Sequence, residues 1–251
     1  MNNSVQEKKK SAVAMFDASM MEADAGSGIN DLGSDDLALP FLKILSGLDS
    51  KLDDLDNAKR GDIINSVTDE VYKGKEGLDV VPCAYERVYI QWTPRGDGSG
   101  APSNVYKSKE DCPEIERSKE DNKDYLTDGS GQYIEETHQH YVLVLKEDGS
   151  ADQALIPMKS TQLKKSRKWN SMMLSATVKG KNGMFTPPRF GFVYHLKSVG
   201  EENSKGSWHG WEMSRKEPVS SADVYGKAKA FSESIKKGGI VVKHEKEDVP
   251  F

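Results

Sequence analysis

Leu78-Asp-Val-Val-Pro-Cys-Ala-Tyr-Glu-Arg-Val-Tyr-Ile-Gln-Trp92 is the stretch on which the fold turns. Its apolar and β-branched residues read as strand, and from Tyr85 to Trp92 the side chains alternate with a period of two, placing Tyr85, Arg87 and Tyr89 on one face. Upstream, Asp62-Ile-Ile-Asn-Ser-Val67 carries a second strand signal, and Leu37-Ala-Leu-Pro-Phe-Leu-Lys-Ile-Leu45 reads as a short helix or strand docked on the main body. The acidic segment Asp49 to Asp56 links the two. Downstream, Thr93 to Gly131 holds Pro-Arg-Gly-Asp-Gly-Ser-Gly and a charged run from about Glu110 to Asp128 with almost no apolar periodicity, which predicts a long excursion over 93–131.

Strands resume over Gln132 to Lys146, turn at Glu147-Asp-Gly-Ser150 and return through Asp152 to Pro157, a hairpin by its turn chemistry. A helix is expected from about Ser160 to Val178. A strand pair follows, Arg189 to Val199 and Ser207 to Ser214, joined by the polar loop Gly200 to Gly206. Ser220 to Lys237 reads as a last helix with a Ser cap and a stop at Gly238-Gly239. Several strands, one helix set between two hairpins and no βαβ alternation predict a mainly β (α+β) fold: an OB-like open barrel with an inserted helix and long loops. Residues 1–36 are small, polar and acidic, the composition of a flexible arm. The expected organisation is therefore an arm at 1–36, an OB-like domain at 37–240 and an acidic C-terminal tip at 241–251.

The net charge of −5 argues against a nucleic-acid partner until its distribution is followed. Leu155 to Lys243 carries 17 Lys and Arg against 6 Asp and Glu, a local +11 that leaves −16 for the rest. No apolar run approaches the roughly 20 residues needed to span a bilayer, so no membrane role is expected. Two cysteines make no disulfide framework, and the first ten residues are polar and charged, unlike a secretory signal. A reducing cytoplasm fits.

Leu155 to Gly200 contains no Asp or Glu, yet it holds Lys159, Lys164, Lys165, Arg167, Lys168, Lys179, Lys181, Arg189 and Lys197, interleaved with Trp169, Phe185, Phe190, Phe192 and Tyr194. Phosphates need mobile cations and exposed bases need flat π-surfaces, so this pairing suits single-stranded nucleic acid. A solvated basic helix beside an ordinary core is the competing reading. Trp169, Met172, Met173 and Ala176 share a helical face and read as core, which leaves Lys164, Arg167 and Lys168 as the better ligands. An Arg between two Tyr on one strand face, as in Tyr85, Arg87 and Tyr89, is awkward in a core and useful against DNA. Trp92 and Arg95 stand at the start of the excursion, and Trp208 reads equally as stacking or packing.

His138 and His140 share a strand face, and Cys83 and Cys112 would complete a Cys₂His₂ zinc set; their isolated spacing favours buried, hydrogen-bonded histidines instead, and no metal or cofactor is expected. P-loop, dinucleotide, nucleophile-elbow and His-Glu-x-x-His motifs are absent from the sequence. A binding protein rather than an enzyme is the result, with a metal-dependent nuclease as the alternative, and self-association is left open.

The chain ends in Glu245-Lys-Glu-Asp-Val-Pro-Phe251, where Glu247, Asp248, Val249, Pro250 and Phe251 combine acidic side chains with a terminal ring and carboxylate. This resembles the acidic tip of bacterial single-stranded DNA-binding proteins, with Lys246 interrupting the acids. From about Asp36 onward, Leu37 to Leu45, Trp92-Thr-Pro-Arg-Gly96, Glu136-Thr-His-Gln-His140 and Met158 to Asn170 look like segments of single-stranded DNA-binding proteins of tailed bacteriophages. The resemblance implies an OB-like core, sequence-independent binding of exposed DNA, and a role in phage replication and recombination. By the same resemblance, the tip would recruit replication or repair proteins.

Overall fold

The computed structural model describes residues 18–28, 38–94, 100–204, 206–240, 242 and 244. The chain divides into two units, Met1–Leu37 and Ala38–Phe251. In the first, the described residues carry one short helix, α1 (Ala18–Ala23).

In the second unit the opening segment forms β1 (Leu42–Ile44), α2 (Lys51–Asp54), β2 (Ile63–Asn65) and β3 (Val71–Tyr72), with the three strands in one small sheet. The main sheet is built from β4 (Leu78–Trp92), β5 (Asn104–Tyr106), β6 (Ile115–Arg117), β7 (Asp124–Leu126), β8 (Tyr133–Leu145) and β9 (Ala151–Lys159), followed, after the helix α3 (Leu163–Leu174) and the small strands β10 (Val178–Gly180) and β11 (Gly183–Phe185), by β12 (Phe192–Asn203) and β13 (Gly206–Pro218). Its order is β13-β12-β4-β8-β7-β6, with β5 added on β4 and β9 on β8. The helix α4 (Ala222–Lys236) closes the unit, and the Ser221 hydroxyl accepts from the Val224 N–H as its cap. The protein is mainly β, with a curled half-barrel sheet and an inserted helix, the OB-like class expected.

β4 is the middle of this sheet and is covered on both faces. Its register against β8 slips at Cys83, between Pro82, opposite Val142, and Ala84, opposite Tyr141. Pro82 gives no N–H to a ladder, and a bulge is where a central strand tolerates that loss. The extra residue inverts the parity of the strand. Leu78 and Val80 pack beneath α3 with Val142, Ile156, Trp169 and Tyr194, while Val81, Cys83 and Ala84 pack beneath α4 with Tyr141, Leu143, Phe231 and Ile235. Tyr85 then returns to the α3 side.

Three expectations change. The 93–131 excursion contains β5, β6 and β7 and packs Leu126, Tyr106, Cys112 and Ile115 onto Tyr89 of β4 and Ile134 of β8; strands of three residues are too short to show periodicity. Residues 200–203 of the polar stretch continue the ladder, Glu201 opposite Trp208 and Glu202 opposite Ser207, because backbone pairing is indifferent to exposed side chains. The inserted helix begins with a 3-10 turn at Ser160–Gln162 and ends at Leu174, so Val178 already belongs to β10.

Candidate nucleic-acid interface

α3 buries Ser166, Trp169 and Met173 against the sheet. Spacings of three and four residues bring these side chains to one stripe and turn Lys164, Arg167 and Lys168, all exposed, to the opposite arc. The helix is anchored at its start, where the Gln162 side chain accepts the Trp211 N–H at 3.0 Å. Gly210 allows this approach, since a Cβ there would stand 2.7 Å from Glu201 Oε2 and 2.9 Å from Gln162 Nε2.

A chain of hydrogen bonds fixes the middle of α3. Arg189 Nη2 lies 3.0 Å from His140 Nδ1 and 2.7 Å from Asn170 Oδ1; His140 Nε2 and His138 Nδ1 both lie 2.7 Å from Ser166 Oγ; His138 Nε2 lies 2.9 Å from Glu136 Oε1. With both imidazoles neutral, as burial favours, one assignment of protons satisfies every link. Arg189 can only donate, so His140 Nδ1 accepts and its Nε2–H donates to Ser166. The Ser166 hydroxyl then donates to His138 Nδ1, and His138 Nε2–H donates to Glu136. Both imidazoles are neutral in this arrangement. Burial holds His140 well below its ordinary proton affinity, with Arg189 and His138 in support. Burial also lowers His138; Glu136 opposes the shift, and the cations of Arg167 and Arg87 reinforce it.

Aromatic rings enclose the chain. His140 stacks on Trp169 at 4.6 Å, Tyr85 meets both histidine rings, and the Arg189 guanidinium lies 5.3 Å from the centre of the Tyr85 ring. Desolvation lowers Arg189 to about 10, which leaves it charged at neutral pH.

The residues singled out in the sequence therefore divide. Lys164, Arg167, Lys168 and Arg87 are exposed, with Arg167 3.7 Å from Glu136 and Arg87 opposite His138 in the β4–β8 register. Lys159 pairs with Glu135 at 3.4 Å, and Lys165 pairs with Glu201 at 2.5 Å. Glu201 also accepts the Trp208 indole N–H at 2.9 Å, leaving that ring half-buried. Tyr89, Trp92 and Tyr194 are buried packing residues, so no ring face of theirs is open to a base. Phe192 lies under Arg215, 5.1 Å from its ring centre, and Arg189 serves the buried chain. Tyr85 is half-buried in the same place. Arg95 and Glu247 to Phe251 lie outside the described residues.

Trp169, expected in the core, is fully buried. The zinc set does not assemble: Cys83 faces α4, the histidines face α3, and Cys112 packs on the excursion's core. Ser166, Asn170 and Glu136 carried no signal in the sequence, since only folding brings them to the histidines.

Fold and site together define a mainly β, OB-like protein that presents a basic helix on a buried, hydrogen-bonded base, in which Trp169 Nε1 and Arg189 Nε remain without a partner among the described residues. Residues 7–241 match the family described as Pam3 phage gp34-like protein, and the chain belongs to that family, a family of bacteriophage proteins. No curated protein and no solved structure matches it. Among the described residues, no helix is long and apolar enough to cross a membrane.

Proposed function

We propose that this phage protein binds single-stranded DNA without sequence preference, in the host cytoplasm, during replication, recombination and repair of the phage genome. The supporting observation is the exposed arc of Lys164, Arg167 and Lys168 on α3, within a run from Leu155 to Gly200 that contains no Asp or Glu. Cations on a rigid helix meet phosphates at any sequence, because phosphate contacts position a strand without reading it. Binding involves no bond chemistry, and the acidic tip recruits replication or repair proteins.

Titration of the protein with oligo-dT and with a duplex of equal length, at two salt concentrations, tests this. Affinity should fall steeply with salt and be higher for the single strand. Labelled oligo-dT incubated with magnesium or manganese should be recovered intact. Equal affinity for duplex, or a degraded strand, would overturn the proposal.

A further inference from the structure

β10 and β11 form a two-stranded sheet of their own, with Val178 opposite Phe185, Lys179 opposite Met184 and Gly180 opposite Gly183. Lys181 and Asn182 make the turn, and Gly183 takes φ +116°, a backbone that glycine holds without strain. A hairpin this small gains little from its own packing. Yet all three residues of β11 are exposed, Met184 by 64% and Phe185 by 48%. The Phe185 ring rests on the Gly180 backbone, since a Cβ at Gly180 would stand 3.1 Å from two of its carbons. The ring is thus supported from one side while nearly half of the residue is open to solvent.

The hairpin also continues the basic helix. Leu174, 76% exposed, falls on the same helical stripe as Lys164, Arg167 and Lys168 and lies three residues before β10. Lys181 is exposed in the turn, and Lys179, also exposed, pairs with Met184 and so stands on the face of the hairpin opposite Phe185. Most other rings of this positive half are engaged: Trp169, Tyr194, Trp211 and Phe231 are buried, Phe192 lies under Arg215, Trp208 is half-buried and bonded to Glu201, and Phe190 packs edge-on at 5.1 Å against Tyr225, itself 39% exposed.

We infer that the β10–β11 hairpin is the base-stacking finger of the protein, with one base of single-stranded DNA lying on Phe185 and a flanking phosphate on Lys181 of the turn. This rests on the proposed function above. A flat, open ring with a cation in the adjoining turn suits an unpaired base and its phosphate, whereas a paired base already has its faces stacked on its neighbours.

Oligo-dT, a duplex and an oligonucleotide of the same length with abasic sites are titrated against the full chain, Phe185→Ala, Phe185→Leu and Phe185→Trp. Stacking of one base predicts a loss for Phe185→Ala of roughly 5- to 150-fold on oligo-dT. Phe185→Leu should lose nearly as much and Phe185→Trp should bind normally, while duplex and abasic affinities stay unchanged throughout. Unaltered thermal unfolding is expected, since β11 supports no core. If the full chain binds oligo-dT and Phe185→Ala binds it equally well, the finger is wrong and the proposed function stands. A full chain that fails to bind oligo-dT removes both. If Phe185→Leu retains full affinity, or if Phe185→Ala weakens duplex and abasic strands as much as oligo-dT, the ring acts without stacking and the inference fails. A hairpin that instead grips an acidic protein surface would give that first result, with DNA binding untouched by every substitution.

Discussion

Ser166 holds two histidines with one hydroxyl, and nothing else described in the structure replaces it. Ser166→Ala would leave His140 Nε2–H without an acceptor and His138 Nδ1 without a donor, both at a buried site. Each orphaned group costs about 1–3 kcal/mol, so the variant should be about 2–6 kcal/mol less stable in urea unfolding. A loss within about 0.5 kcal/mol would show that the chain of hydrogen bonds contributes little. The same histidines set a pH dependence. Their proton affinities are depressed in the folded state from an ordinary 6.5, so below that pH the unfolded chain takes up protons that the folded chain refuses. Stability should be level above pH 7 and decline as pH falls from about 6.5 towards 5; His244, lowered to about 4 by burial, adds a contribution of the same sign. An identical urea midpoint at pH 7.5 and 5 would contradict this. At this scale the sequence was legible for Trp169 and for the histidines as hydrogen-bonded groups. It was not legible for Tyr89, Trp92 and Tyr194, because alternation sorts side chains onto faces without saying what covers each face.

α3 is the element on which the proposed binding rests. Reversing charge at Lys164, Arg167 and Lys168 together should weaken binding to all sequences alike and reduce the slope of log affinity against log salt by about 2, the loss of three phosphate contacts on a single strand. Because the three side chains are exposed, the triple variant should unfold at the normal urea concentration. A folded triple variant with normal affinity would make the helix a solvated face and shift attention to Arg87. The helix itself was readable from its apolar spacing, and so were the β8–β9 hairpin and the Ser-capped α4. The small strands β5, β6, β7, β10 and β11 were not, since three residues show no period. The length of β12 and β13 was hidden as well: Glu201, Glu202 and Asn203 look like a loop and pair like a strand.

For the whole molecule the decisive feature is charge separation, +11 over Leu155 to Lys243 against −16 elsewhere. Glu245 to Phe251 carry three acidic side chains against one Lys, so under the proposed function this segment should compete with DNA for the basic face. Deleting Glu245 to Phe251 should leave affinity for oligo-dT unchanged or slightly higher while abolishing capture of a replication or repair protein in a pull-down. Phe251→Ala should reproduce that loss and Lys246→Ala should not. A drop in DNA affinity on deletion, or capture insensitive to both changes, would refute the role given to the tip. The mainly β class was legible at this scale because strand signals recur without βαβ alternation. The bulge at Cys83, which decides which residues lie under α3 and which under α4, was marked only by Pro82.

The central position of β4 has a further consequence during synthesis. Val80 pairs with Val144 of β8 on one side and with Tyr194 of β12 on the other, both far later in the chain. At ribosomal rates of about 5–20 residues per second, β4 waits roughly 5–20 s for its last partner. Throughout that interval the start of β4, Leu78 to Val80, shows an unpaired edge, so the nascent protein passes through a stage with an open strand end that its finished sheet conceals.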